Sequence, residues 1–127
     1  MRRVFKTRSF SRWLRKTELT DSTLCKAVAE MELGLVDADL GGGVIKKRVP
    51  LPGRGKSGGA RTLLATNRAD RWFYVFGFEK NERANISAQE LQALRMLSGD
   101  LLSLSAASLD TWVKSATLQE ICNEGQN

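Results

Sequence analysis

Residues 71–78 read Arg-Trp-Phe-Tyr-Val-Phe-Gly-Phe, a near-continuous aromatic and β-branched run. Such a run fits a strand, and one this apolar belongs in the middle of a sheet with both faces covered. The rest of the chain must therefore supply neighbouring strands and the helices that cover them. Val44–Val49 and Ala60–Thr66 read as two more strands, joined by the basic, glycine-rich connection PLPGRGKSGG. Residues 3–8 fit a short first strand.

Helical periods flank this centre. Residues 9–16 place Phe10, Trp13 and Leu14 on one helical face. Asp21 or Ser22 can cap a helix whose apolar positions, Leu24, Ala27, Val28, Met31 and Leu35, share one face, with Gly34 as its stop. Ser87 followed by Glu90 forms a capping-box pattern, and Leu91, Leu94, Leu97, Leu101 and Leu104 follow at helical spacing. A last short helix is expected over Leu109–Cys122. Short turns between the middle strands imply antiparallel pairing. The expected class is α+β: a small antiparallel sheet with N-terminal helices packed on it and a C-terminal helix, the helices on one side. The 127 residues suit a single domain over 1–127, with 109–127 as a C-terminal helical extension.

Composition removes several kinds of chemistry. The chain has no histidine and two cysteines, Cys25 and Cys122. Ser–His–Asp and Cys–His catalysis lack their base, and a zinc site lacks ligands. No metal or cofactor is expected. Two distant cysteines in a small chain are expected as reduced thiols. The basic start, MRRVFKTRSFSRWLRK, lacks the apolar stretch of a secretory signal, and no segment approaches a transmembrane span. A cytoplasmic protein without membrane contact is expected.

The net charge of +6 is unevenly distributed. Residues 1–16 hold seven basic residues and no acid, and residues 40–71 hold eight basic residues and one acid. Acidic excess fills the segments between and after them. Such focusing favours a polyanionic partner unless the charges cancel in three dimensions.

The second basic segment carries the more specific chemistry. Gly53–Gly59, GRGKSGG, is not a nucleotide-binding phosphate loop: Pro50 stands where the first glycine belongs, and a strand follows rather than a helix. A basic hairpin of this kind can still bind a phosphate backbone, through Arg54 and Lys56 among others. On the strand Val44–Val49, alternation puts Lys46 and Arg48 on one face and Lys47 on the other, with Ile45 and Val49. Arg61 opens the next strand, and Lys80 and Arg83 follow the third. Cations converging this way depress lysine pKa values, so a lysine can serve as general base while arginines stabilise charge on phosphate. That set suffices for ribonuclease chemistry without histidine, in which a 2′-hydroxyl attacks the adjacent phosphate; a merely binding basic face is the alternative. Asn81 and Asn85, in the polar segment 78–87, can bond bases or ribose hydroxyls.

Three segments in fixed order carry a resemblance. Asp39–Arg48 (DLGGGVIKKR), Gly55–Arg61 (GKSGGAR) and Phe78–Ser87 (FEKNERANIS) resemble the RelE/HigB-type toxins of bacterial type II toxin–antitoxin systems. The likeness runs from about Phe5 to the Leu118–Ile121 tail. It implies a microbial-ribonuclease-like fold, mRNA cleavage, often on the ribosome, and a cognate antitoxin that blocks the site. It implies a pair of basic residues at Lys46 and Arg48, one of the pair usually a lysine base. Arg48 is a poor base, which leaves Lys46 or Lys47. The transition-state arginine matches Arg61, and the cation after the last strand matches Lys80 or Arg83. Several relatives use a tyrosine near the chain end, whereas here that stretch offers Asn85 and Ser87, and Tyr74 lies mid-strand. Two other functions fit the same residues: a ParE-like toxin that binds DNA gyrase, and a nucleic-acid-binding module without catalysis.

Overall fold

The computed structural model describes residues 2–123, apart from the side chains of residues 55–57. The elements run β1 (Arg3–Thr7), α1 (Arg8–Leu14), α2 (Asp21–Glu32), β2 (Ala38–Gly41), β3 (Val44–Leu51), β4 (Gly55–Thr66), β5 (Arg71–Glu79), α3 (Ala88–Leu102), α4 (Ala106–Lys114) and β6 (Leu118–Ile121). The strands form one six-stranded sheet in the order β2-β3-β4-β5-β1-β6. The α+β class is as expected, and the aromatic run of β5 is an interior strand.

Two expectations about the layers change. The helices cover both faces, not one. Ile45, Val49, Ala60, Leu64, Trp72 and Tyr74 pack with Phe10 and Leu14 of α1 and Leu24, Val28 and Met31 of α2. Val44, Leu63, Ala65, Phe73 and Val75 pack on the other face with Leu94 and Leu101 of α3 and Leu109 of α4. Pairing is also not wholly antiparallel: β1 lies parallel to β5, Phe5 beside Phe73. Short turns enforce antiparallel pairing only between consecutive strands, and these two are joined by a long crossover.

The chain end differs too. The helix expected over Leu109–Cys122 is α4, and Leu118–Ile121 instead pairs antiparallel with β1 as an edge strand. Leu118 and Ile121 are both buried but face opposite cores. The hairpin expected over PLPGRGKSGG is shorter as well, because β3 runs to Leu51 and β4 begins at Gly55. Thr20, rather than Asp21 or Ser22, caps α2 by accepting from the Thr23 N–H. The capping box at α3 is present: Ser87 Oγ accepts from Glu90 N at 3.1 Å, and Glu90 Oε1 accepts from Ser87 N at 2.8 Å.

The cysteines are not free thiols. Cys25 of α2 and Cys122, just after β6, form a disulfide with Cα atoms 5.5 Å apart. Their separation of 97 residues hides a proximity created by the sheet, which brings β6 beside β1 and under α2. Among the described residues, no helix is long and apolar enough to cross a membrane.

Candidate functional site

The site is a sheet face, and strand alternation decides which cations share it. Lys46 and Arg48 of β3 project on the side of Val44, away from α2. Arg48 stands directly opposite Arg61 of β4, and Lys46 opposite Leu63. Arg61 in turn stands opposite Phe78 of β5, and Leu63 opposite Phe76. Lys46 and Arg61 are half-buried, and Arg48 is exposed.

Arg48 is held in place. Its backbone N–H donates to Asp37 Oδ2 at 2.6 Å, and its Nε donates to Asp37 Oδ1 at 3.1 Å. Burial opposes the charged form of Asp37, but these two hydrogen bonds and the cations of Arg48 and Lys47 outweigh it. The carboxyl therefore stays below its ordinary range. Arg48 thus keeps one partner and a fixed direction while its guanidinium remains accessible.

Lys47 is elsewhere. It faces α2, almost wholly buried, and donates to Leu35 O at 2.8 Å and to Glu30 Oε1 at 2.7 Å. Of the two lysines considered as base, only Lys46 shares a face with Arg48 and Arg61. Tyr74 is also remote: its hydroxyl donates to Leu24 O at 2.7 Å inside the core, and burial raises its pKa.

Beyond β5 the chain is clamped to the start of α3. Arg83 is paired with Glu90, donating to Oε2 at 3.0 Å and also to Oε1. Its guanidinium lies over the rings of Phe76 and Phe78, 5.8 and 5.7 Å from their centroids. The Arg83 bonds, and then the Ser87 N–H, hold the Glu90 carboxyl down at about 2, while Arg83 is raised. Arg83 therefore borders the Arg61 face through the two phenylalanines. Lys80 and Asn81 lie exposed in the turn after β5, and the Asn85 side chain accepts from Ile86 N.

Arg54, at the β3–β4 turn, lies 3.7 Å from Glu18 and 3.6 Å from Glu79. Glu79 stands opposite Ala60 and so belongs to the α1–α2 side. Arg54 is directed away from Arg61. The Lys56 side chain lies outside the described residues. The structure thus brings together Lys46, Arg48, Arg61 and, at the border, Arg83. It sends Lys47 and Arg54 to the other face.

The glycine motif at Gly41–Gly43 is structural. A β-carbon on Gly42 would lie 2.8 Å from Arg95 Cγ, and one on Gly43 2.6 Å from Ser98 Oγ. The turn seats the β2–β3 hairpin against α3, where Arg95 donates to Leu40 O. Three acids organise the site: Glu30, Asp37 and Glu90. Glu90 was readable as a cap but not as the partner of Arg83, because a loop separates them. Nothing in the spacing marks Asp37.

Among the described residues, no cluster of His, Cys, Asp or Glu is suited to hold a metal ion. The arrangement is a cationic sheet face, whose chemistry suits an anion. A family model described as the RelE toxin of the RelE/RelB toxin–antitoxin system matches residues 2–121. No curated protein matches the chain.

Proposed function

The chain belongs to the RelE toxin family, and from that premise we propose that it is an mRNA endoribonuclease that inhibits translation, acting in the cytoplasm and needing no metal. The family implies an antitoxin partner; in our reading that antitoxin neutralises the toxin by covering the 40–61 region. The observation that carries the enzymatic reading is the opposition of Arg48 and Arg61 with Lys46 on the same face. Arg48 and Arg61 are direct cross-strand neighbours, so one phosphate bound at that register can accept hydrogen bonds from both.

The chemistry follows from that placement. Lys46 takes the proton of a ribose 2′-hydroxyl. The 2′-oxygen attacks the adjacent phosphorus, and the P–O5′ bond breaks. The products are a 2′,3′-cyclic phosphate and a 5′-oxygen that takes a proton from water to become the 5′-hydroxyl, while Lys46 keeps the proton it removed. Arg61 and Arg48 bind the phosphoryl oxygens as negative charge grows there. Lys80 and Arg83 extend the cationic field beyond β5. Asn81 and Asn85 contact the flanking strand.

The alternative of a gyrase-binding toxin shares the fold, and the burial of Tyr74 away from this face is the feature that favours it. Expression from a tightly repressed promoter separates the two. Transcript 5′ ends mapped after induction are expected to show discrete cuts that vanish in Arg61→Ala. Altered plasmid supercoiling without cuts would support gyrase binding instead.

A further inference from the structure

The first basic segment has no role in the face described above, yet it lines a cavity of its own. This cavity, of about 510 Å³, lies between α1 and β6. Lys6 of β1, Arg8 and Arg12 of α1 and Arg15, the residue that caps the C-terminus of α1, line one side. Their spacing, four residues and then three, sets all three arginines on one helical face, since Arg15 keeps a helical backbone. Phe10 and Leu14, on the other face, are buried in the core. A second cavity of about 380 Å³ shares Lys6 and Arg15, so the groove continues along α1 towards Leu19.

The charge balance in this groove is one-sided. Lys6 is paired with Asp21 at 2.8 Å, and Glu120, the one acid lining the groove, is held by Arg3 through two 2.9 Å bonds. Arg8 donates to the carbonyls of Ala116 and Ser115. The side chains of Arg12 and Arg15 are exposed and make no ion pair or hydrogen bond among the described residues. The acidic segments of the chain thus neutralise much of the basic excess elsewhere, but leave these two guanidiniums uncompensated.

We propose that the α1–β6 groove is a second RNA site, in which Arg12 and Arg15 bind backbone phosphates outside the stretch being cut. This rests on the reading of the protein as one that acts on RNA. A groove with successive cations along one wall fits a polymer charged at every unit better than a single ion. It lies at the opposite edge of the sheet from β3, on the side of α1 and α2, so only a long or folded RNA reaches both sites.

The test uses the purified full chain and a labelled 2′-O-methyl oligonucleotide, which cannot be cut because its nucleophile is blocked. Arg12→Gln/Arg15→Gln is expected to weaken binding about tenfold or more. It is also expected to flatten the plot of log affinity against log salt by about 1.4, two phosphates at about 0.7 each for a single strand. Cleavage of a short substrate spanning only the Lys46–Arg61 face is expected to stay at the wild-type rate. An unchanged affinity and slope in the double variant would overturn the groove and leave the cut site standing. A wild-type chain that binds no RNA would overturn both. A double variant that binds RNA normally but loses the antitoxin would overturn the proposal in favour of a protein partner.

Discussion

Arg48 and Arg61 face each other across β3 and β4 as direct cross-strand partners, with Asp37 bonded to Arg48. A phosphate bound at that register can accept hydrogen bonds from both guanidiniums. Each single change to alanine is expected to lower kcat/KM by on the order of 10²-fold. Because both groups serve one phosphate, the double variant is expected to lose less than the product of the two. Steady-state cleavage of a defined RNA checks this; fully multiplicative losses mean separate phosphates.

Neighbouring lysines are expected to behave oppositely. Lys46→Ala abolishes cleavage and leaves the melting temperature near wild type. Lys47→Met leaves Glu30 without its near-buried partner and costs about 2 kcal/mol, less than a fully buried pair because Glu30 is 37% exposed. Denaturant titration of both variants, beside their cleavage rates, separates the two roles. A Lys47 variant that is stable but inactive contradicts the assignment.

Acid acts on the clamp between Arg83 and α3. The Glu90 carboxyl binds its proton more weakly in the folded chain, at about 2 against an ordinary 4.5. Its contribution is therefore complete above about pH 4.5 and is lost as pH falls towards 2. The melting-temperature gap between wild type and Glu90→Gln is expected to shrink across that window. A gap that holds constant to its lower end shows that the carboxylate is not the stabilising form.

The disulfide closes a span of 97 residues, and chain entropy gives such a loop about 4–5 kcal/mol. A thiol reductant is expected to lower stability by a large part of that. Cys25→Ser/Cys122→Ser should match the reduced wild type and ignore the reductant. Equal melting with and without reductant in the wild type contradicts this.

At Gly77 the backbone of β5 meets the indole of Trp13 so closely that a β-carbon has no room. Gly77→Ala is expected to cost about 1–3 kcal/mol by forcing α1 off the sheet. Trp13→Ala in the same chain should recover part of the loss, and thermal melts of the three variants measure it.

What the sequence made legible was periodic. The β5 run, the apolar faces of α1 and α2, the capping box and the alternation of Lys46, Lys47 and Arg48 all follow from local spacing. What it hid was long-range. Nothing near Cys25 points to Cys122, and nothing in the short Leu118–Ile121 stretch says that it pairs with β1 rather than coiling into a helix. Helices on both faces follow from the crossover that sets β1 beside β5, which no turn length reveals. The cations of the site were readable as residue types. Which of them meet depended on acids: Glu30 draws Lys47 inward, Glu18 and Glu79 hold Arg54 on the far side, and Asp37 fixes Arg48 beside Arg61.

The chemistry of the cut ends tests the central claim most directly. RNA treated with the purified chain, its ends identified by selective phosphatase and ligase reactions, is expected to carry 2′,3′-cyclic phosphate and 5′-hydroxyl termini. These should be absent after treatment with Lys46→Ala or Arg61→Ala. Cuts that leave 5′-phosphates, or cyclic-phosphate ends that persist in both variants, would contradict cleavage by the Lys46–Arg61 face.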